Sequence, residues 1–405
     1  MTVRTVVTGL GVLAPNGVGL EEYWSAVLLG RSGLGRVERF DPSGYPAQVA
    51  GEIKGFEAAE HLPAKLLPQT DRVTQLSLTA AEWAIADAGV DPAGLPDYGA
   101  GVVTASSSGG FEFGQRELEA LWARGPKHVS AYQSFAWFCA VNTGQISIRH
   151  GLRGPSGAVV SDQAGGLDAV AGARRAVRQG TGLMVTGGVD SSLCPWAWIA
   201  HLAGGGLTTR RDPQRAYLPF DREADGYVPG EGGAILVVED AEHAAARGTT
   251  RVYGEVAGYA SGFDPRPGSG RPPALRRVIE AALADAGLAA GDVDVVFADA
   301  AGLPEADAAE AAALTEVFGA HGVPVTAPKT MTGRLYAGGA PLDLAAALLT
   351  IRDGVIPPTV HVEHPVDEYG LDLVLGEPRA VEVRTALVLS RGRGGHTSAM
   401  CLTAA

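Results

Sequence analysis

Apolar and polar positions along the chain fall into two kinds of stretch. Short, nearly unbroken apolar runs read as strands covered on both faces; Ala234-Ile235-Leu236-Val237-Val238 and Thr385-Ala386-Leu387-Val388-Leu389 are two of them. Between the runs lie Ala-rich amphipathic segments of helical period, including 78–90, 276–288 and the stretch from Pro341 to Leu349. Further strands are predicted at Gly101-Val102-Val103-Thr104, at Gly182 to Gly188 and at Val293-Asp294-Val295-Val296-Phe297. Strands that alternate with helices imply parallel or mixed sheets covered by helices, and so an α/β protein.

The pattern repeats. Residues 78–90 resemble residues 276–288, and each segment ends at a glycine suited to a left-handed C-cap, Gly89 or Gly287. A strand-like segment precedes each helix, Val3 to Gly9 in one case and Arg251 to Tyr259 in the other. A short loop and an apolar strand follow each. The two helices are offset by 198 residues, about half of the 405-residue chain. Two similar halves, 1–250 and 251–405, packed on one another account for this spacing.

Composition narrows the function classes. The chain is 46% hydrophobic and 19% charged, enough for a large core. No apolar run approaches the ~20 residues that a membrane span needs. Arg4-Thr5-Val6-Val7-Thr8 leads directly into a strand, with no apolar leader region, which predicts a cytoplasmic protein. A net charge of −13 disfavours a nucleic-acid partner. Cys139, Cys194 and Cys401 are scattered and suggest no disulfide framework.

Several familiar motifs fail on inspection. Gly9-Leu10-Gly11-Val12-Leu13-Ala14 has dinucleotide-fingerprint spacing, but Pro15 and Gly17 stand where a helix should be running. His361 and His364 lie among Pro357, Pro358 and Pro365, in a loop without further metal ligands. Ser161 has no evident histidine to activate it.

The order of segments resembles a β-ketoacyl synthase of the thiolase fold from end to end. Pro219-Phe220-Asp221 followed by Asp225-Gly226-Tyr227-Val228-Pro229-Gly230-Glu231-Gly232-Gly233 carries part of the likeness. The implied architecture is five-layered, αβαβα, with duplicated halves. Ketosynthases use a cysteine nucleophile and two histidines. In Val160-Ser161-Asp162-Gln163-Ala164-Gly165-Gly166 the cysteine position is Gln163. In Ala298-Asp299-Ala300-Ala301-Gly302 the first histidine position is Asp299, and in Lys329-Thr330-Met331-Thr332-Gly333-Arg334 the second is Arg334. The family's Gly-Phe-Gly-Gly segment reads Gly392-Arg393-Gly394-Gly395, and the tail at His396-Thr397-Ser398 departs from the usual pattern. An aspartate and an arginine brought together there are expected to form a structural ion pair.

The segments around Gln163 and the stretches 129–138, 142–149 and 328–336 resemble the chain length factor, the ketosynthase β subunit of type II aromatic polyketide synthases. That resemblance implies a protein of polyketide antibiotic biosynthesis with no independent activity. It pairs with a ketosynthase α subunit, an acyltransferase that holds the catalytic cysteine, through an interface near residues 129–150. The substrate arrives on the phosphopantetheine arm of an acyl carrier protein, so no cofactor or metal is implied. The growing poly-β-ketone chain enters a tunnel whose end the β subunit sets. The gate positions map to Phe111, Gly114 and Leu118, at i, i+3 and i+7 on one helical face, and Trp196 is a further expected tunnel residue. Gly114 is expected to leave open volume, and hence a product longer than an octaketide. The alternative is an enzyme, a malonyl-carrier-protein decarboxylase that primes the synthase through Gln163.

Overall fold

A computed structural model describes residues 3–266 and 268–405. One twelve-stranded sheet runs through the molecule. Its main strands, in chain order, are β1 (Thr5–Ala14), β2 (Ala100–Ser106), β3 (Ser156–Val160), β4 (Leu183–Asp190) and β5 (Gly232–Asp240), then β6 (Gly254–Phe263), β7 (Val295–Phe297), β8 (Pro324–Thr326), β9 (Thr385–Arg391) and β10 (His396–Thr403). Two short pieces, Gly17–Val18 and Asp372–Leu373, extend it. The first five strands lie in the order β3-β2-β4-β5-β1, and the second five in the equivalent order β8-β7-β9-β10-β6. The senses match as well. β1–β5 and β5–β4 are antiparallel, as are β6–β10 and β10–β9, while the remaining pairs in each run are parallel. The runs join through β1 and β6 at two residue pairs, Val6 with Glu255 and Val7 with Gly254.

Helices cover the sheet as the apolar pattern requires. α1 (Arg72–Asp87), α2 (Phe111–Arg124) and α3 (Val141–His150) belong to the first half, with α4 (Gly165–Arg178) and α5 (Pro195–Gly204). α6 (Leu275–Ala286), α7 (Pro304–Phe318) and α8 (Gly339–Asp353) belong to the second. α4 and α8 lie between the two halves, in a core with Leu167, Val170, Leu344 and Leu348 fully buried. α1 and α3 cover the first run of strands from outside, through Leu76, Ala80 and Ile146. α6 and α7 cover the second through Ile279, Ala282 and Leu314. The five layers are those the resemblance implied.

The repeat holds to the level of single contacts. A methyl on Gly9 would run into Ala84 and Ala88 of the α1 segment, and a methyl on Gly258 into Ala282 and Ala286 of the α6 segment. Both alanine pairs keep the offset of 198 residues. Each glycine lets a helix backbone settle onto a strand. Gly89 and Gly287 adopt φ of +63° and +69°, the left-handed geometry of a C-cap. The apparent dinucleotide fingerprint is the C-terminal part of β1, a ten-residue buried strand. The Pro- and Gly-rich segment 264–273 is irregular where described, and its Pro267 lies outside the described residues.

Candidate functional site

Gln163 sits in the turn between β3 and α4, where the alternation of strand, small residues and Ala-rich helix places it. It is 8% exposed and lines a cavity of about 480 Å³ that Asp299 and Arg334 also line. The loop after β7 brings in Asp299, and the turn before α8 brings in Arg334. The three positions read from the sequence therefore meet at one site.

Asp299 and Arg334 form a buried ion pair, with Nη2 donating to Oδ1 at 2.9 Å and to Oδ2 at 3.2 Å. Arg334 Nη1 also donates to the Asp299 carbonyl at 2.7 Å, and Nη2 reaches the Arg391 carbonyl at 3.3 Å. The carboxylate accepts a further bond from the Arg391 N–H at 2.9 Å. Burial penalises the charged carboxyl, but Arg334 and then Lys329 overcome that penalty and hold Asp299 below its ordinary range. Lys329 is itself tied to Asp343 at 2.7 Å. The turn carrying Asp299 is strained, with Ala300 at φ +51°. Glu310 secures it by accepting from the N–H groups of Asp299 and Ala300 at 2.7 and 2.9 Å. Asp307 accepts from Gly302 and Phe220 at 3.0 Å each. Burial raises both of these carboxyls, Asp307 to about 7.

Arg393 stands at the cavity mouth in place of the family's phenylalanine. Its N–H donates to Asp162 at 2.9 Å, and its guanidinium lies against Gly204, where any side chain would collide with it. That places a cation at the C-terminal end of α5, the favourable end of the helix dipole. Tyr336 also lines the cavity and is held by His201 Nδ1 at 2.7 Å. Burial, followed by Arg393, pushes His201 down to about 4, although its bond to the Ser192 carbonyl acts in the opposite direction.

The second group of predicted residues lies on α2 and α5. Phe111 meets Trp196 edge to face, with ring centroids 4.7 Å apart. A methyl on Gly114 would stand 3.1 Å from the Trp196 ring and 3.8 Å from Trp137 Cβ. The open volume expected over Gly114 is therefore not free. Lacking a side chain, Gly114 lets the indole rest against the helix backbone, and the indole fills the space. Leu118, one turn further on, is 38% exposed, and Trp196 is 43% exposed.

Three participants escaped the sequence reading. Trp137 flanks Gly114 from a loop whose aromatics carry no period. Gln115 Oε1 accepts from the Trp196 N–H at 2.9 Å. Asp71, 2% exposed, caps two helices: Oδ1 accepts from Val73 of α1 at 2.9 Å, and Oδ2 accepts from Phe113 of α2 at 2.6 Å. Asp71 directly before an apolar helical run is an N-cap signature that could have been found. Burial, offset only in part by those two N–H groups, raises its carboxyl to about 7.

Comparison with known proteins places these features in a lineage. The β-ketoacyl synthase N-terminal domain matches residues 3–244, and the C-terminal domain matches residues 253–363. The chain is 63% identical to the second β-ketoacyl synthase of the actinorhodin polyketide system of Streptomyces coelicolor, over 98% of each chain. It is 61% identical to the tetracenomycin polyketide synthase ketoacyl synthase β subunit of Streptomyces glaucescens, over 98% of this chain and 97% of that one. A solved ishigamide ketosynthase/chain length factor superposes over the whole of both chains, with TM-score 0.89 and 29% identity. Among the described residues, no helix is long and apolar enough to cross a membrane. The chain belongs to the β-ketoacyl synthase family, and its relatives at 61–63% identity are second ketosynthases, or β subunits, of polyketide systems.

Proposed function

We propose that this chain is a chain length factor, the non-catalytic partner of a ketosynthase α subunit in a type II polyketide synthase. One observation carries the reading. A ketosynthase fold holds a carboxamide and an internally satisfied ion pair where the reaction needs a thiolate and two histidines. Both terminal nitrogens of Arg334 are committed to Asp299 and to the Arg391 carbonyl, so neither is aimed at a developing oxyanion. Priming decarboxylation through Gln163 draws little support from that geometry.

The surface supports a partner of similar build. β3 ends the sheet with alternately exposed residues, an edge open to pairing. α3 is tied to it by Thr143 Oγ1 donating to the Gly157 carbonyl at 3.2 Å. Around α3 the apolar side chains of Tyr132, Trp137, Phe138 and Ile148 are exposed, all inside the expected 129–150 interface. In this reading the acyl chain arrives on a carrier protein, is extended at the α subunit and ends against Phe111, Gly114, Leu118 and Trp196. A product longer than an octaketide then requires the indole to leave Gly114.

Co-expression with an α subunit, carrier protein and malonyl supply tests the reading by mass spectrometry of products. The expected result is a 1:1 complex whose condensation stops when the α-subunit cysteine is removed. Condensation by this chain alone would overturn it. So would malonyl-carrier decarboxylation by the cysteine-free complex that falls on Gln163→Ala.

A further inference from the structure

Resting on that gate reading, we propose that Gln115 is a positioning residue for product length: it fixes the helix that carries Trp196 to the helix that carries Phe111 and Gly114. α5 begins with Pro195, which has no N–H, after Cys194, whose side chain supplies no cap. The first N–H that α5 presents is that of Trp196, and it is met from another helix, by Gln115 Oε1 at 2.9 Å. The amide is oriented rather than free to flip. Its Nε2 donates to Glu119 Oε1 at 2.8 Å, one turn further along α2, which turns the oxygen toward α5. The cap that a serine or aspartate would supply locally is supplied here in trans, across 81 residues of sequence.

The placement matters because the contact it sets is tight. The indole lies 3.1 Å from where a Gly114 methyl would be and 4.7 Å from the Phe111 ring centroid, so small movements of α5 open or close the space. The buried Trp198 anchors this end of α5, with its Nε1 donating to the Ala47 carbonyl at 3.1 Å, while Trp196 itself is 43% exposed and its N–H is tied across to α2 by Gln115. Gln115 meets the backbone N–H of Trp196. It acts through Trp196.

The test uses the complete heterodimer and reads product length as a fraction of total polyketide. Gln115→Met keeps the length of the side chain but removes the acceptor, whereas the Glu variant, Gln115→Glu made together with Glu119→Gln, keeps an acceptor at the helix N-terminus and the hydrogen bond between residues 115 and 119. The Met variant is expected to raise the longer fraction about fivefold, the population change that loss of one helix cap brings. The Glu variant is expected to restore the parental ratio. Hydrogen exchange should show faster exchange of the Trp196 amide in the Met variant alone, a readout that does not depend on product. Trp196→Ala is the control for the gate. If it changes length and Gln115→Met does not, the positioning role is overturned and the gate stands. If neither changes length, the gate reading falls and the positioning role with it. A shift in both Met and Glu variants would also overturn the proposal, because the accepted hydrogen bond would not be its cause.

Discussion

Asp299 and Asp71 are both 2% exposed, yet the protein treats them in opposite ways. Asp299, in the cavity beside Gln163, faces Arg334 and Lys329 and is held below the ordinary carboxylate range. Asp71, at the start of α2, faces two backbone N–H groups and is pushed up to about 7 by burial. One region is held by an electrostatic network of Asp299, Arg334 and Arg391. The other keeps half-exposed aromatics in place through single hydrogen bonds across helices. The difference shows where each region can vary. The cavity is a structural unit that tolerates little change, while the proposed gate is open to retuning without dismantling the core.

The largest expected effect lies in the cavity. Arg334→Met leaves the Asp299 carboxylate buried without its partner and should cost about 3–5 kcal/mol in urea unfolding. Adding Asp299→Asn should recover much of that loss. An additive loss in the double variant would show that the pair is not coupled. Asp71→Ala removes two caps at once and should cost about 2 kcal/mol, with faster amide exchange at Val73 and Phe113 as its signature. Gly114→Ala should cost less than about 1 kcal/mol, because the indole needs to give by only a few tenths of an ångström. Gly114→Trp must expel the indole or be expelled by it. A product distribution identical to the parent's would remove Gly114 from the gate.

The pH response sharpens the contrast. A carboxyl raised in the fold contributes stability below its unfolded value, near 3.8, and loses it as pH rises toward about 7. The deficit of Asp71→Asn relative to the parent should therefore shrink between pH 4 and pH 8. Asp299 is shifted the other way. Its contribution is present above 3.8 and is lost only as pH falls through its lowered folded value. The Asp299→Asn deficit should stay flat over the same interval and shrink only in stronger acid. Parallel pH profiles for the two variants would contradict the opposed shifts.

What the sequence disclosed and what it hid differ in physical kind. The helices ending before Gly89 and Gly287, the strands around them and the turn at Gln163 follow from period and capping, which are local. Asp299 and Arg334 were brought together by matching segments to a family, and the cavity joins them at 2.9 Å. The Trp196 indole over Gly114 was not foreseen. Helical period says which face Gly114 occupies but not which ring crosses it from a segment about 80 residues away. Bonds from Asp71 to Phe113 and from Gln115 to Trp196 join side chain to backbone across 42 and 81 residues, and such bonds leave no periodic trace. Tertiary capping is legible only once the helices have been placed.

The open edge at β3 has a consequence for the living cell. An edge strand set beside exposed Trp137, Phe138 and Ile148 is an adhesive surface until the proposed partner covers it. Copies made in excess of the partner would be orphans, prone to self-association and to capture by quality control. Under the proposed pairing, matched synthesis of the two subunits is a requirement, and dosage becomes as much a determinant of yield as any residue at the proposed gate.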